Sequence, residues 1–328
     1  MQRELVNVDA IAQNNGMTGT FSNSRFGACM KILNFGSLNL DYVYSVPHFV
    51  AAGETLAAMD RQVFPGGKGL NQSIALAKAK AHVYHAGAIG LDGMQLLKVL
   101  MQGGVNPDFV RKRPDLPTGH AIIQVDQSGQ NCILIYGGAN QSQRKDEIIE
   151  TISSFSSGDM LLLQNEVNEV DTLIHQAKEK HMTVVLNPSP ITPALLNAPL
   201  EKVDIFILNE IEARFISGVE DAYEQINALG RFYPKSDVVL TLGEKGSLCL
   251  TASGEQYEFG IFNVPVTDTT AAGDAFTGFY LASFAQGKPI NEALKIASAA
   301  SAIAVTRPGA SVSIPDIDET EEFLLNYK

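Results

Sequence analysis

Cysteine is scarce in this chain. Cys29, Cys132 and Cys249 are the three among 328 residues, with no Cys-x-x-Cys pair and no metal-type spacing. That excludes a disulfide framework and fits a reducing compartment, so a cytoplasmic location is expected. Basic residues are also in deficit: 24 Lys and Arg face 36 Asp and Glu, a formal net charge of −12. A surface of that sign repels a nucleic-acid backbone and argues against such a partner. It leaves room for a phosphate ligand, because one pocket can oppose the global sign. No apolar run reaches the roughly 20 residues that cross a bilayer, so no membrane partner is expected. The histidines, His48, His82, His85, His120, His175 and His181, show no ligand pattern; no acid or cysteine stands near the close pair His82 and His85. Residues 1–29 lack a basic start followed by an apolar core, which argues against a secretory signal. They are rich in Asn, Gln, Ser, Thr and Gly without periodicity. They are expected to form an ill-ordered extension, with Met30 as an alternative start.

What is present describes a folded core. Hydrophobic residues make up 45% of the chain and charged ones 18%, a globular balance. Strands are predicted at Lys31 to Phe35, around Tyr42 to Val46, over 54–64, and at Val83 to Ile89. Further strands are predicted at Met160 to Gln164, Thr183 to Leu186, Ile205 to Leu208 and Val238 to Leu242. Helices are predicted at Asn71 to Ala81, Met94 to Gln102, Glu169 to Lys180, after Asn209, and at Asn291 to Thr306. This alternation predicts an α/β fold with a doubly wound, mostly parallel sheet of Rossmann type. Two hairpins are predicted as well, Thr118 to Tyr136 and Ser247 to Phe259. The strands within about 38–66 and 117–138 fall outside the alternation. They predict a small β layer, a lid, whose apolar Val43, Ile122 and Ile133 would pair with a second copy of the chain to make a homodimer.

Polar residues gather where the predicted strands end: Asn39 and Asp41, Glu166, Asn187, Asn209 and Glu212, Thr241 and Gly243. One such residue is a capping group. Several pointing the same way mark a shared cleft, because sheets of this class bind ligands at the carboxyl ends of their strands. Pro65-Gly66-Gly67-Lys68-Gly69 looks like a phosphate loop, yet Gly69 stands where the Walker pattern requires Ser or Thr. Its glycines imply either a plain tight turn or a ligand lying close to the backbone.

The stretch Thr267-Asp268-Thr269-Thr270-Ala271-Ala272-Gly273-Asp274-Ala275-Phe276-Thr277-Gly278 organises the rest. A polar segment leaves an apolar run, two alanines and Gly273 add no bulk, and a helix is predicted from Asp274 to about Gln286. Unpaired N–H groups and a partial positive charge make a helix N-terminus favourable to an anion. A carboxylate within one turn of that anion can take a proton from an attacking hydroxyl. On these residues alone, Asp274 could also be a first-turn acid that complements the helix dipole and nothing more.

The motifs together change the weight of that choice. They are Gly36-Ser37-Leu38-Asn39-Leu40-Asp41, Gly66-Gly67-Lys68-Gly69-Leu70-Asn71-Gln72, Gly137-Gly138-Ala139-Asn140, Asn187-Pro188, Asn209-Glu210-Ile211-Glu212, Thr241-Leu242-Gly243 and Asp268 to Asp274. In this order and spacing the chain resembles the ribokinase (PfkB) family of carbohydrate kinases, from about Met30 to the C-terminus. The resemblance implies one kinase domain over 30–328 and ATP-dependent phosphorylation of a sugar's primary hydroxyl, with D-ribose the leading substrate. It implies Asp274 as general base and the backbone of Ala271, Ala272 and Gly273 as an anion hole. It implies Asn39, Asp41, Gly67, Lys68, Asn71 and Glu166 as the sugar grip. Asn209, Thr241, Gly243, Gly246, Gly273 and Ser298 are implied near ATP, and Asn187 and Glu212 near Mg²⁺ through water. Asp268, Thr270, Ala304, Arg307, Gly309 and Ser313 are implied around an activating K⁺. Ser298 departs from the Asn or His common beside adenine, and Pro308 stands where the family varies. The alternatives are a kinase for fructose or another sugar, a nucleoside kinase, or a sugar or nucleotide sensor without catalysis. A dehydrogenase is disfavoured, because no Gly-x-Gly-x-x-Gly opens the first strand–helix turn.

Overall fold

Runs of Leu, Ile and Val without polar alternation form strands buried on both faces, and most of the large sheet is made of such runs. The computed structural model describes residues 30–327; the extension expected over 1–29 lies outside the described residues. The described chain opens with β1 (Lys31–Phe35), β2 (Asn39–Ser45), β3 (Asp60–Gly66), α1 (Lys68–Lys78) and β4 (His82–Ile89). Next come α2 (Met94–Gln102), β5 (Asn106–Lys112), and the hairpin of β6 (Gly119–Val125) and β7 (Asn131–Tyr136). The second half begins with α3 (Lys145–Ser153), β8 (Met160–Gln164), α4 (Val170–Glu179), β9 (Thr183–Asn187) and β10 (Ile205–Asn209). It continues with α5 (Glu210–Ser217), α6 (Ala222–Phe232), β11 (Asp237–Thr241), β12 (Ser247–Leu250) and β13 (Gln256–Phe259). Three helices close it, α7 (Ala272–Ala285), α8 (Ile290–Val305) and α9 (Ile317–Asn326).

The large sheet has nine strands in the order β13-β12-β11-β10-β9-β8-β1-β4-β5. Every neighbouring pair from β11 to β5 is parallel, and β12 and β13 add an antiparallel edge. The chain winds outward from β1 to β5, returns to β8, and winds outward again to β11. The order therefore reverses between β1 and β8, where an open sheet leaves a crevice. Successive strand residues face opposite sides. Ile32, Leu162 and Val185 pack towards α1, α2, α7 and α8; Leu33, Leu161 and Val184 pack towards α3 to α6, and all six are fully buried. Each such side chain contributes about 1.5–3 kcal/mol of transfer free energy.

A second sheet has the order β3-β2-β6-β7, and it is the predicted small layer. Its strand β7 is exposed, with Ile133, Leu134, Ile135 and Tyr136 facing water.

The structure departs from the sequence reading in several places. Asn39 and Asp41 do not end a strand of the large sheet; they open β2 of the small one. β3 starts at Asp60, because the segment before it is loop, and α1 starts at Lys68, inside the predicted glycine loop. β5 escaped prediction because Pro107 reads as a strand breaker. It lies at the sheet's edge, where proline is tolerated. Helices α3, α6 and α9 were not anticipated either. Among the described residues no helix is long and apolar enough to cross a membrane.

Candidate active site

Asp274 is the third residue of α7 and is buried. Its carboxylate turns away from its own helix. Oδ2 accepts from Asn71 Nδ2 at 2.9 Å and Oδ1 from Gln72 Nε2 at 2.9 Å, both on α1. The two helices meet closely: a Cβ on Gly278 would lie 2.3 Å from Ala75 Cβ. One turn earlier on each helix, that contact sets Asp274 opposite Asn71 and Gln72. Burial pushes the Asp274 carboxyl above the usual carboxylate range, and Lys68, Gln72 and Asn71 pull it part of the way back. The helix start carries no side-chain cap. Ala272 N–H turns onto Thr269 O at 3.2 Å. A Cβ added to Gly273 would touch nothing within 4 Å, so the backbone there faces open space.

The crevice between β1 and β8 holds the next group. Ser37 follows β1 and Glu166 follows β8, and the Ser37 hydroxyl donates to Glu166 Oε2. The same oxygen accepts Lys68 N–H at 3.0 Å. Burial raises the Glu166 carboxyl, against the pull of Ser37 and Lys68. Burial also works against the Lys68 charge, but Asp274, Glu166 and Glu212 outweigh it and hold the amine above its ordinary value. Asp41 is pushed up to about 6 by burial and by the charge of Glu166. Gly66 makes room for it, since a Cβ there would lie 1.9 Å from Asp41 Oδ2. Gly67 holds φ at 94°, a conformation that favours glycine, and delivers the chain into α1. Asn39 Oδ1 accepts from Asn140 Nδ2 at 2.7 Å, and Asn140 Oδ1 accepts Leu38 N–H at 3.0 Å. The predicted sugar-grip residues Asn39, Asp41, Gly67, Lys68, Asn71 and Glu166 therefore fall around one hollow beside Asp274. Ser37, Gln72 and Asn140 belong to it too. All three lie within the motifs that carry the family resemblance, but the resemblance implied no role for them.

On the other side of Gly273 lies a cavity of about 660 Å³, lined by Thr241, Gly243, Gly246, Ala272, Gly273 and Ser298 among others. Ile261, Phe262, Val264, Val266 and Val305 supply an apolar wall. The sequence showed 261–266 as an apolar run; in the fold it is irregular chain lining this cavity. Asn209 does not line it. Its side chain caps α5, accepting from Glu212 N–H at 2.9 Å, while the Glu212 carboxylate accepts from Asn209 N and Nδ2 at 3.0 and 3.1 Å.

Oxygen donors suited to Mg²⁺ are present at Asn187 and Glu212. Asn187 Nδ2 is tied to Ile207 O at 2.8 Å, so Oδ1 points the other way, with a long 3.4 Å contact from Gln72. Each Glu212 oxygen has one hydrogen bond and a lone pair to spare. Among the described residues no group of three His, Cys, Asp or Glu is set to hold a metal ion, so any Mg²⁺ there would keep much of its water. Of the predicted K⁺ residues, Thr270 and Gly309 meet at Asp268. Its Oδ1 accepts Thr270 N–H at 2.9 Å and Oδ2 accepts Gly309 N–H at 2.9 Å, joining two loops. Burial works against the Asp268 charge, but the bonds from Thr270 and Gly309 outweigh it and lower its pKa. Ser313 Oγ donates to Ala310 O, Ala304 is buried, and Arg307 is spent on an ion pair with Glu319.

The chain is similar to known proteins along most of its length. The pfkB family carbohydrate kinase description matches residues 30–317. The chain is 37% identical over 297 residues to ribokinase of Haemophilus influenzae, covering 88% of this chain and 96% of that one. The ribokinase structure of Thermotoga maritima superposes with a TM-score of 0.80 at 35% identity, covering 90% of this chain and all of that one. Arabidopsis thaliana ribokinase complexed with ribose and ATP superposes with a TM-score of 0.81 at 29% identity, over 90% of this chain and 99% of that one.

Proposed function

The chain belongs to the pfkB family of carbohydrate kinases, and from that premise we propose that it transfers the γ-phosphoryl group of ATP to the primary hydroxyl of D-ribose, giving D-ribose 5-phosphate. The observation that carries this reading is Asp274. It is a buried carboxylate held by two amide donors, one residue past an open Gly273, between a polar hollow and a large cavity.

In this reading the sugar lies in the hollow. Asp41 and Glu166 accept its hydroxyl protons while Asn39, Asn71 and Lys68 donate, a division suited to a polyol. Asp274 takes the proton of the primary hydroxyl as that oxygen attacks phosphorus. Its raised pKa makes it a better acceptor than an ordinary aspartate. The opening turn of α7, from Ala271 to Gly273, presents its backbone to the charge that develops on the transferred group. Adenine occupies the cavity against Phe262 and Val264, with Thr241, Gly243, Gly246 and Ser298 around the nucleotide, and Asn209 is assigned to the triphosphate. Mg²⁺, held through water by Asn187 and Glu212, would offset phosphate charge. A K⁺ among the backbone oxygens near Asp268, Thr270, Ala304, Arg307, Gly309 and Ser313 would steady the loop that leads into α7.

The further proposals are a cytoplasmic location and a homodimer that covers exposed β7. A monomer by light scattering at micromolar concentration would count against the dimer. The substrate test is ADP release from ATP with D-ribose, 2-deoxyribose, fructose and adenosine. D-ribose should give the highest kcat/KM; a preference for adenosine or fructose would overturn the assignment of the sugar.

A further inference from the structure

Behind Asp274 runs a buried file of side-chain amides. Gln72 Nε2 donates to Asp274 Oδ1 at 2.9 Å, and Gln72 Oε1 accepts from Gln164 Nε2 at 2.7 Å. Gln164 Nε2 also donates to Asn34 Oδ1 at 3.0 Å. Asn34 Nδ2 donates to the backbone oxygen of Gly69 at 2.8 Å and to Ser73 Oγ at 2.9 Å. Ser73 Oγ lies 2.8 Å from His85 Nδ1. Asn34, Ser73, His85 and Gln164 are fully buried, and Gln72 is 1% exposed, so water does not compete. Gly36 makes room for the file: a Cβ there would lie 2.2 Å from Gln164 Oε1.

An amide turned over about its last bond keeps its shape and exchanges donor for acceptor. Turned over, Gln72 would aim an oxygen at the carboxylate of Asp274. The file forbids this. The Gly69 carbonyl can accept but not donate, so Asn34 must show it Nδ2. Asn34 Oδ1 then faces Gln164, which must answer with Nε2. That nitrogen meets Gln72 Oε1, and Gln72 is left with Nε2 for Asp274. The far end is compatible: Ser73, accepting from Asn34, has its own hydrogen free for His85 Nδ1. Burial holds the His85 imidazole down at about 3, and Nδ1 is the acceptor in the neutral tautomer that carries its hydrogen on Nε2.

We propose that Asn34, Gln164 and Gln72 form a polarity relay, in which the backbone carbonyl of Gly69 dictates through three amides that Asp274 always meets a hydrogen-bond donor. Asn34 and Gln164 are thereby positioning residues for phosphoryl transfer, though neither touches the carboxylate. The proposal rests on the reading of Asp274 as the base. The charged groups facing Asp274 are Lys68 on α1 and Glu166 after β8, and the relay leaves both in place.

The test compares Gln164→Met, Gln72→Met and the double variant, with ATP and D-ribose as substrates. Gln164→Met frees Gln72 to turn over. It should lower kcat about tenfold, roughly one hydrogen bond to a charged group, with both KM values within about twofold of wild type. Asp274 acts as a carboxylate, and losing a donor raises its pKa. The acid limb of the kcat–pH profile should therefore move to higher pH. In the Gln72→Met background, Gln164→Met should cost nothing further, because its effect passes through Gln72. A wild-type kcat and pH profile in Gln164→Met, or costs that multiply in the double variant, would overturn the relay. Asn34→Leu should reproduce the Gln164→Met result. Should these variants not fold, the Gln72 side-chain amide of the wild-type protein is read by NMR. One exchange-protected resonance pair is expected, and two pairs would overturn the proposal. Asp274→Asn, assayed beside them, separates the premises. A normal rate there removes the base itself, whereas a lost rate with an unaffected Gln164→Met removes the relay alone.

Discussion

Helices α5 and α7 each carry an acid at the third residue, Glu212 in one and Asp274 in the other. In α5 the acid serves its own helix. Glu212 and Asn209 form a reciprocal capping box that satisfies the N-terminus with side chains from the same turn. In α7 no side chain caps the start, and Asp274 bonds instead to Asn71 and Gln72, on another helix. A helix end supplied with internal partners is finished. One left without them keeps its N–H groups for something that arrives later. The same residue class at the same position therefore closes its own helix in one case, with lone pairs to spare for Mg²⁺ on our reading, and in the other leaves its helix uncapped and turns to the chemistry.

The contrast breaks most directly at Asp274. Asp274→Asn keeps the size and cannot accept the proton, so turnover should fall about 10²- to 10⁴-fold with the melting temperature nearly unchanged. A variant that melts slightly lower and keeps more than about a tenth of the rate would make Asp274 a dipole partner like any first-turn acid. Asp41→Asn comes next. A lost hydrogen bond to a buried carboxylate costs about 1.5–3 kcal/mol, or roughly 10- to 150-fold in kcat/KM for the sugar, with ATP binding kept. Asp41 accepts hydroxyl protons as a carboxylate, and its pKa is pushed up to about 6. Wild-type kcat/KM for the sugar should therefore fall as pH drops through that value, and Asp41→Asn should lose that limb. Equal losses for sugar and ATP would make Asp41 structural. Glu212→Gln sharpens the other side. Glutamine can still close the box, so stability should hold while the Mg²⁺ concentration for half-maximal rate rises several-fold. Unchanged Mg²⁺ dependence would leave Glu212 a cap alone. The smallest effect is expected from the monovalent cation: at matched ionic strength the rate should be higher in K⁺ than in Na⁺ or a bulky organic cation. Equal rates would remove the cation from the Asp268 loop.

Much of this was legible in the sequence because it is written locally. Apolar runs marked most strands of the parallel sheet, and the glycine-containing motifs marked most of the hollow. What stayed hidden depends on partners far away in the chain. β5 was masked by Pro107, whose tolerance depends on being at an edge. Gln72, Gln164 and Asn34 read as ordinary polar residues, since only the fold shows that they are buried and in file. The apolar run 261–266 carried no signal of its role, because only the fold shows that Ile261, Phe262, Val264 and Val266 wall a cavity.

The bond between Asn71 and Asp274 also has a history in time. The two residues are 203 positions apart along the chain. At a synthesis rate of roughly 5–20 residues per second, α1 emerges about 10–40 s before its partner carboxylate exists. Before that interval closes the nascent chain gains all four strands of the small sheet and the residues of the hollow, while the group that would remove the proton on our reading has yet to be made. On our reading, a product truncated before α7 would carry the residues proposed to hold the sugar and lack the base that phosphoryl transfer needs.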